Sequence, residues 1–333
     1  MKAVILAGGR GTRLSRVTHN KMPKPMAELA GRPVLEHIVL LLAHHGFRDI
    51  CCTLACMPDA IRRHFGNGSA MGVHMEYRVE TQPLGTAGAV KNCRDFYGDK
   101  PFLIISGDAA CDFDLGLLYK THCREKNAVT MALCPHETPT PYGLVLTDRE
   151  NRVRQFLEKP RWEQVVTDLV NTGIYIMEPS AMAQVPENTP YDFGKDLFPR
   201  LLAQGEKLMG LPLSGYWRDI GDPASYYRAN LDAEEGRLRL MATPVPAPAV
   251  RPRPTESAFA CRLLVETPQK ARLMRELSGR FIDTADFSNG LSLPGVPGGI
   301  HIAPCENQAA LAVESNNAAT AELYCRMIQN LPL

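Results

Sequence analysis

The 333-residue sequence lacks an excess of charge of either sign: 37 lysines and arginines face 36 aspartates and glutamates, a formal net charge of +1. Without a basic surplus to hold a polyanion, nucleic acid is not an expected partner, and any phosphate binding has to be local. Long apolar runs are missing too. The longest candidate, Val34 to Ala43, is interrupted by Glu36 and His37 and falls short of the roughly 18 residues that cross a bilayer, so no membrane span is expected. Met1-Lys2 leads directly into Ala3 to Ala7 and then glycines, without a signal-peptide pattern, which makes the cytoplasm the expected location. The ten cysteines show no zinc-ligand spacing, even where Cys51, Cys52 and Cys56 lie near His44 and His45. They read as buried free thiols. The sequence also shows no internal repeat.

What is present is 45% hydrophobic residues, enough for at least one large core, in a chain whose length suggests two domains. Up to about residue 130 short apolar strands alternate with amphipathic helices. The strands are Ala3 to Leu6, Ile50 to Leu54, Met75 to Val79 and Phe102 to Ser106, and the alternation implies a mostly parallel sheet. Pro33 marks a helix start, Leu35, Ile38, Val39 and Leu42 recur at helical spacing, and Gly46 marks the stop. Hairpin-like strands follow at Leu144 to Leu146 and Val153 to Phe156, with a helix near Phe193 to Gln204. A helix expected over Pro223 to Leu240 runs into Pro244, Pro246, Pro248, Pro252 and Pro254, a density that favours an extended linker. The expected organisation is a domain over 1–240, a linker over 241–256 and a small module over 257–333.

The strand Ala3 to Leu6 opens straight into Ala7-Gly8-Gly9-Arg10-Gly11-Thr12-Arg13-Leu14. A loop at the carboxyl end of such a strand is where open α/β sheets hold ligands. Glycines let backbone N–H groups approach phosphate oxygens, and Arg13 adds a bidentate cation. The run is neither G-x-G-x-x-G nor a P-loop. About ten residues on, Met22-Pro23-Lys24-Pro25-Met26 holds Lys24 between two prolines that are expected to keep the segment extended and aim the side chain.

Gly9-Arg10-Gly11-Thr12-Arg13-Leu14 followed by Pro23-Lys24-Pro25-Met26 resembles the signature of the sugar-1-phosphate nucleotidylyltransferase family, and the resemblance continues over about 230 residues. It departs at Arg16, where family members commonly carry proline. The resemblance implies an α/β fold, Rossmann-like and GT-A-like, a mostly parallel sheet with helices on both faces, followed by a small C-terminal α+β domain. It implies that Arg13, Lys24 and Asp108 are catalytic and that Gly8, Gly9, Gly11 and Thr12 hold the nucleotide. Glu80-Thr81-Gln82-Pro83-Leu84-Gly85-Thr86-Ala87-Gly88 resembles the nucleobase segment, with Gln82 and Gly88 as base contacts and Gly85 and Gly88 clearing space for a flat ring. Ser106-Gly107-Asp108 and Tyr216-Trp217-Arg218-Asp219-Ile220-Gly221 resemble the family's metal-site segments, so Asp108 and Asp219 are expected to share one Mg²⁺. Asp112 and Asp114 fit a turn and a helix start and are read as structural.

Tyr142 to Val145, Phe156 to Pro160 and Asn171 to Tyr175 resemble the three sugar-site motifs in order and spacing. By position, Gly143 admits the sugar ring, Glu158 and Asn171 bond hydroxyls, and Lys159 pairs with the sugar phosphate. Trp217 fits equally a stacking surface or the core. The implied activity joins an NTP and a sugar 1-phosphate into an NDP-sugar and pyrophosphate, with GTP and mannose 1-phosphate favoured. Alternatives are thymidylyl or uridylyl transfer to glucose 1-phosphate, guanylyl transfer to heptose 1-phosphate, and a non-catalytic regulatory subunit that binds sugar nucleotides. Residues 257–333 resemble the last domain of phosphomannomutases and phosphoglucomutases through Lys270, Arg272 to Arg275, Ile282-Asp283 and Gly299 to Ile302. The phosphate-gripping loop is replaced by Ala303-Pro304-Cys305-Glu306-Asn307-Gln308-Ala309, without arginine. A degenerate module is therefore expected, packing or forming a homo-oligomer through a strand Ala309 to Val313 and a helix Ala318 to Ile328, whose Ala321, Tyr324, Cys325 and Ile328 share a face.

Overall fold

A computed structural model describes residues 1–9, 11–241, 259–264, 291–293, 300–304, 310–315 and 318–329. The chain divides into two compact units, Met1–Ala247 and Pro248–Leu333. The expected linker, 241–256, lies outside the described residues apart from Met241, as do Arg10, the mutase-like stretch 270–283 and the loop 305–309.

In the first unit the strands are β1 (Lys2–Ala7), β2 (Glu28–Leu29), β3 (Arg32–Pro33), β4 (Asp49–Leu54), β5 (His74–Val79), β6 (Phe102–Ser106), β7 (Ala109–Cys111), β8 (Val129–Pro135), β9 (Gly143–Thr147), β10 (Val153–Glu158), β11 (Leu169–Met177), β12 (Leu208–Pro212) and β13 (Trp217–Asp219). The helices are α1 (Ser15–Thr18), α2 (Val34–His44), α3 (Pro58–Phe65), α4 (Gly85–Lys91), α5 (Arg94–Tyr97), α6 (Leu115–Glu125), α7 (Pro179–Met182), α8 (Phe198–Ala203) and α9 (Pro223–Glu234).

The central sheet runs β10-β9-β11-β6-β1-β4-β5, with β8 beside β11 and β12 beside β8. β6, β1, β4 and β5 are parallel, whereas β11, β9 and β10 join antiparallel. Alternate residues of β1 serve two cores: Ala3, Ile5 and Ala7 face one, Val4 the other. A strand buried on both faces has to be apolar throughout, which is why its sequence reads as an unbroken run. Helices cover both faces. On one, α2 buries Leu35, Val39 and Leu42 completely, each worth about 1.5–3 kcal/mol; Leu42→Ala would cost about 2–5 kcal/mol. The helix ends at Gly46, whose φ of 82° lets the chain turn back.

In register, Ala7 pairs with Leu54 and Leu6 with Ser106, so the three loops that follow β1, β4 and β6 leave one edge together. β11 bonds to both β6 and β8, and its register shifts between Asn171 and Tyr175. At that irregularity Gly173 adopts a φ of 76°, and a Cβ on it would lie 2.7 Å from Ser106 Oγ. The bulge thus brings Asn171 to Gly173 against the end of β6.

The helix expected to reach Leu240 stops at Glu234. Gly236 turns with a φ of 74°, and the backbone N–H groups of Arg237 and Leu238 donate to the Asp232 carbonyl at 2.8 and 3.1 Å, which closes the helix end. In the second unit four antiparallel strands run Phe259–Leu264, Ala310–Ser315, Ile300–Pro304, Leu291–Leu293 across the sheet. The terminal helix Ala318–Gln329 packs on the first two of these. It buries Ala321, Cys325 and Ile328, leaves Tyr324 half-buried and exposes Leu323.

Candidate active site

Gly8 and Gly9 leave β1 at the shared edge. A Cβ on Gly8 would lie 2.8 Å from Glu80 Oε1, while Gly9 has nothing within 4 Å and faces open space. Gly11 has a φ of 61°, and a Cβ there would lie 2.6 Å from Lys24 Cβ, so glycine is needed twice over. Thr12 begins a short 3₁₀ turn that carries Arg13, whose side chain is 71% exposed, toward Asp219.

The segment around Lys24 is not extended as expected. Pro23 is extended, but Lys24–Met26 form a 3₁₀ turn, closed by Met26 N–H donating to the Pro23 carbonyl at 2.8 Å. Proline at the second position fits such a turn because its fixed φ suits it and no amide hydrogen is required. The turn sends Lys24 inward, where its side chain is only 7% exposed. Its ammonium donates to Asp108 Oδ2 at 2.7 Å and to Asp219 Oδ1 at 3.2 Å.

The two aspartates meet through a short antiparallel ladder in which Asp219 on β13 pairs with Ala109 on β7, the residue after Asp108. Gly107 N–H donates to the Leu6 carbonyl at 2.8 Å, and a Cβ on Gly107 would lie 3.0 Å from the same oxygen. β13 is itself anchored. Tyr216 O–H donates to buried Asp232 at 2.8 Å, and Arg218 donates to the Tyr216 hydroxyl at 3.0 Å. Burial works against charge on Asp232, but hydrogen bonds from Tyr216 and Arg237 and the nearby Arg228 outweigh it and hold its carboxyl below the usual range.

Two carboxylate oxygens therefore converge on one cation, that of Lys24. Among the described residues no group of three or more acidic, His or Cys side chains has metal-binding geometry. A pair of hard oxygen donors suits Mg²⁺, which is commonly held by one or two carboxylates while phosphate oxygens and water complete its shell. The donor set fits that ion.

On one side of Asp108 lies a cleft of about 770 Å³, reached by Gly8, Gly9, Gln82 and Gly85. On the other lies a cleft of about 940 Å³, reached by Arg13, Lys24, Asp219 and the four expected sugar-site residues. Asp108 and Ser106 border both. Gly11, Thr12 and Gly88 line neither; Gly88 is buried, and a Cβ on it would lie 2.8 Å from the Thr189 carbonyl. Gly85 has a similar constraint, with the Tyr191 carbonyl 2.6 Å from a notional Cβ. These two glycines let α4 approach the 189–191 backbone, whose Tyr191 carbonyl accepts from the N–H groups of Ala87 and Gly88.

In the larger cleft the Glu158 carboxylate is wedged against two glycines: Oε2 lies 2.9 Å from a notional Cβ on Gly143 and 2.6 Å from one on Gly194. Burial pushes its carboxyl above the usual range, and Asp192 adds to this while Lys159 and Lys195 oppose it. Lys159 adopts a φ of 47°, which swings its exposed ammonium to 3.8 Å from Glu158 Oε1. Asn171 accepts from Gly173 N–H at 3.2 Å and donates to the Tyr175 hydroxyl at 2.8 Å, leaving one amide hydrogen free. Trp217 is mostly buried; its Nε1–H donates to the Thr172 carbonyl at 3.1 Å, and its ring meets Tyr142 edge-on at 5.4 Å. Asp114 caps α6 by accepting from Leu117 N–H at 2.8 Å. Asp112 accepts from Tyr216 N–H at 2.6 Å and Arg239 N–H at 3.0 Å.

Sequence reasoning did not single out Glu80, Thr86, Asp192 or Gly194 as site residues. Thr86 O–H donates to Asp192 at 2.9 Å and accepts from Phe193 N–H at 2.9 Å, tying the two cleft walls together. An Asp followed by Phe-Gly-Lys is a helix-cap pattern, and Asp192 does cap that turn through Gly194 and Lys195 N–H. That signal was available in the sequence; the pairing with Thr86 was not.

Comparisons with known proteins agree with this architecture. A UTP–glucose-1-phosphate uridylyltransferase of Synechocystis is 36% identical over 243 residues, 69% of this chain and 62% of the relative. A mannose-1-phosphate guanylyltransferase of Mycobacterium tuberculosis is 35% identical over 250 residues, 75% of this chain and 67% of the relative. The chain thus spans about two thirds or less of the length of these curated relatives. The crystal structure of HddC from Yersinia pseudotuberculosis complexed with GMP-PN superposes with a TM-score of 0.59 at 28% identity, covering 70% of this chain and 99% of that one. Residues 2–236 match the family model described as nucleotidyl transferase, and the chain belongs to that family.

Proposed function

We propose that this chain transfers a nucleotidyl group from GTP to mannose 1-phosphate, forming GDP-mannose and pyrophosphate. The observation that carries nucleotidyl transfer is the Lys24–Asp108–Asp219 cluster at the meeting of two clefts, one sized for a nucleoside and one lined by polar sugar-type contacts. The guanylyltransferase relative and the GMP-PN complex of HddC favour guanine. The uridylyltransferase relative favours UTP and glucose 1-phosphate as the competing pair.

A sugar phosphate has a second pKa near 6 and is already an anion at neutral pH, so no side chain has to deprotonate it. Its oxygen forms a bond to the α-phosphorus as the bond from that phosphorus to the bridging oxygen breaks and pyrophosphate departs. Arg13 and Lys24 hold the triphosphate charge, Lys159 the sugar phosphate, and Glu158 and Asn171 the sugar hydroxyls. The work is positioning and charge stabilisation. Mg²⁺ held by Asp108 and Asp219 would neutralise the phosphates when bound. Release of pyrophosphate from a panel of GTP, UTP, dTTP and ATP with mannose, glucose and heptose 1-phosphates tests the reading; turnover with none of them overturns it, and preference for UTP with glucose 1-phosphate replaces the pair named.

A further inference from the structure

We propose that Arg237 is a positioning residue for the metal ligand Asp219: through Asp232 it holds Tyr216, and with it the start of β13. The inference rests on the nucleotidyl-transfer reading above and extends that site to a segment outside both clefts. β13 needs such support. It is three residues long, and its ladder to β7 pairs Trp217 with Cys111, Arg218 with Ala110 and Asp219 with Ala109. Two strands that short do not fix their own position, whereas a metal tolerates only about 0.2 Å of error in a ligand distance.

Tyr216 directly precedes the strand and is gripped at two points by buried carboxylates. Its backbone N–H donates to Asp112 Oδ1 at 2.6 Å, and its O–H donates to Asp232 Oδ2 at 2.8 Å. Each carboxylate also holds the chain that leaves α9. Asp232 Oδ1 accepts from Arg237 Nε–H at 2.7 Å, and Asp112 Oδ2 accepts from Arg239 N–H at 3.0 Å. Leu238, between the two arginines, is buried in the core that also takes in Trp217 and Ile220. The exit segment and the metal strand are therefore tied across two acids whose side chains are 1% and 3% exposed. In so buried a setting, loss of one cation leaves a carboxylate charge that has to find another donor or water, so the acid moves and Tyr216 moves with it. Arg228 also pairs with Asp232, at 3.1 Å, but ties it to its own helix, whereas Arg237 ties it to the segment beyond. Arg237 follows residue 236, where the match to the nucleotidyl transferase family ends, so the segment that braces Asp219 lies past the family-matched stretch.

The test uses the full chain and reads Mn²⁺ binding by electron paramagnetic resonance without nucleotide, with the melting temperature measured alongside. Arg237→Met should raise the Kd for Mn²⁺ roughly tenfold, the lower end of what groups that orient a metal ligand contribute. Tyr216→Phe, which keeps the ring and removes the hydroxyl, should raise it too. The double variant should bind within about threefold of the weaker single one, because both changes cut the same path. During turnover the Mg²⁺ concentration that gives half the maximal rate should rise in Arg237→Met, and excess MgCl₂ should restore most of kcat. A lower melting temperature with unchanged Mn²⁺ affinity would reduce Arg237 to packing and overturn the proposal, as would independent, multiplicative losses in the double variant. Should Arg237→Met not fold, Arg237→Lys, which keeps the charge without the guanidinium fork, decides by the same measurements. Absence of Mn²⁺ binding by the unaltered chain also overturns the proposal. Absence of turnover with every triphosphate defeats the transfer reading, and the Mn²⁺ comparison still decides the role of Arg237.

Discussion

The ammonium of Lys24 lies 2.7 Å from Asp108 Oδ2, although 84 residues separate the two in sequence and Lys24 comes from a turn while Asp108 follows a strand. The contact places a monovalent cation where a divalent one would be held by the same oxygens. On the proposed reading, lysine and metal would compete for these oxygens until phosphate oxygens shared both.

Lys24→Met tests that relationship. Removing a cation aimed at the reacting phosphates should lower kcat/KM by roughly 10² or more. Stability should change by about 1 kcal/mol or less, because Asp108 is partly exposed and its charge is screened. Mn²⁺ should bind the nucleotide-free variant more tightly than the unaltered chain, as read by electron paramagnetic resonance. Near-normal turnover in a folded variant would remove Lys24 from the machinery.

Gly143→Ala addresses the acceptor side. The new methyl would lie 2.7 Å from Phe156 Cζ and 2.9 Å from Glu158 Oε2. Phe156 is buried against Phe198, with ring centroids 5.3 Å apart, so the carboxylate is the group that gives way. KM for the sugar 1-phosphate should rise about tenfold or more, the loss expected for a hydrogen bond to a charged group. KM for the nucleotide should hold steady, and a rise confined to the nucleotide would place Gly143 in the wrong cleft.

The sequence carried some of these relationships and hid others for physical reasons. β1, β4 and β6 are buried on both faces, so burial alone makes them apolar runs and the strands are visible one at a time. The Gly11 requirement is visible as a motif, yet its cause, Lys24 Cβ at 2.6 Å, is a long-range contact. The Asn171–Tyr175 irregularity depends on β11 matching β6 and β8 at once, which no local pattern encodes. The helix expected to Leu240 overran its end at Glu234, although Gly236 marked the stop. Asp108 and Asp219 could be paired only by resemblance, since β7 and β13 are three residues each and carry no periodicity.

Acidification should destabilise the fold from its histidines first. His37 Nε2–H donates to the Leu29 carbonyl at 2.7 Å, but its buried Nδ1 has no partner. His122 is fully buried, with its ring nitrogens 2.9 Å from Thr130 Oγ1 and 3.4 Å from Glu178 Oε1. Burial is the main cause that lowers both below the ordinary histidine value. The folded state therefore stays neutral where the unfolded chain, near pH 6.5, takes up a proton. Stability is full above that pH and falls as pH drops below it, by up to about 1.4 kcal/mol per pH unit for each group. Glu80 and Glu158, raised by burial, act in the opposite sense but nearer the carboxylate range. The melting temperature should thus decline between pH 7 and 5.5, and a flat or rising profile there would contradict the burial of these two rings as neutral species.

The second unit can be separated from the chemistry by truncation. Among the described residues, all those lining the two clefts belong to Met1–Ala247, and that unit carries both cores, the full nine-stranded sheet and the β7–β13 ladder that joins Asp108 to Asp219. A chain ending at Ala247 should release pyrophosphate at a rate within about threefold of the full chain, since it keeps Arg13, Lys24, Asp108, Glu158, Lys159, Asn171 and Asp219. What should change is mass in solution or melting temperature; the expected packing face Ala321, Cys325 and Ile328 is taken up inside the unit against the strands Phe259–Leu264 and Ala310–Ser315, so it is not the surface through which the unit would act. The stretch Ala303 to Ala309 offers no arginine and adds Glu306, so it repels the phosphate that a mutase loop would grip. The full chain should therefore not interconvert mannose 1-phosphate and mannose 6-phosphate. A coupled assay that detects that interconversion, or a truncated chain that folds but loses turnover by more than a hundredfold, would assign the second unit a catalytic role.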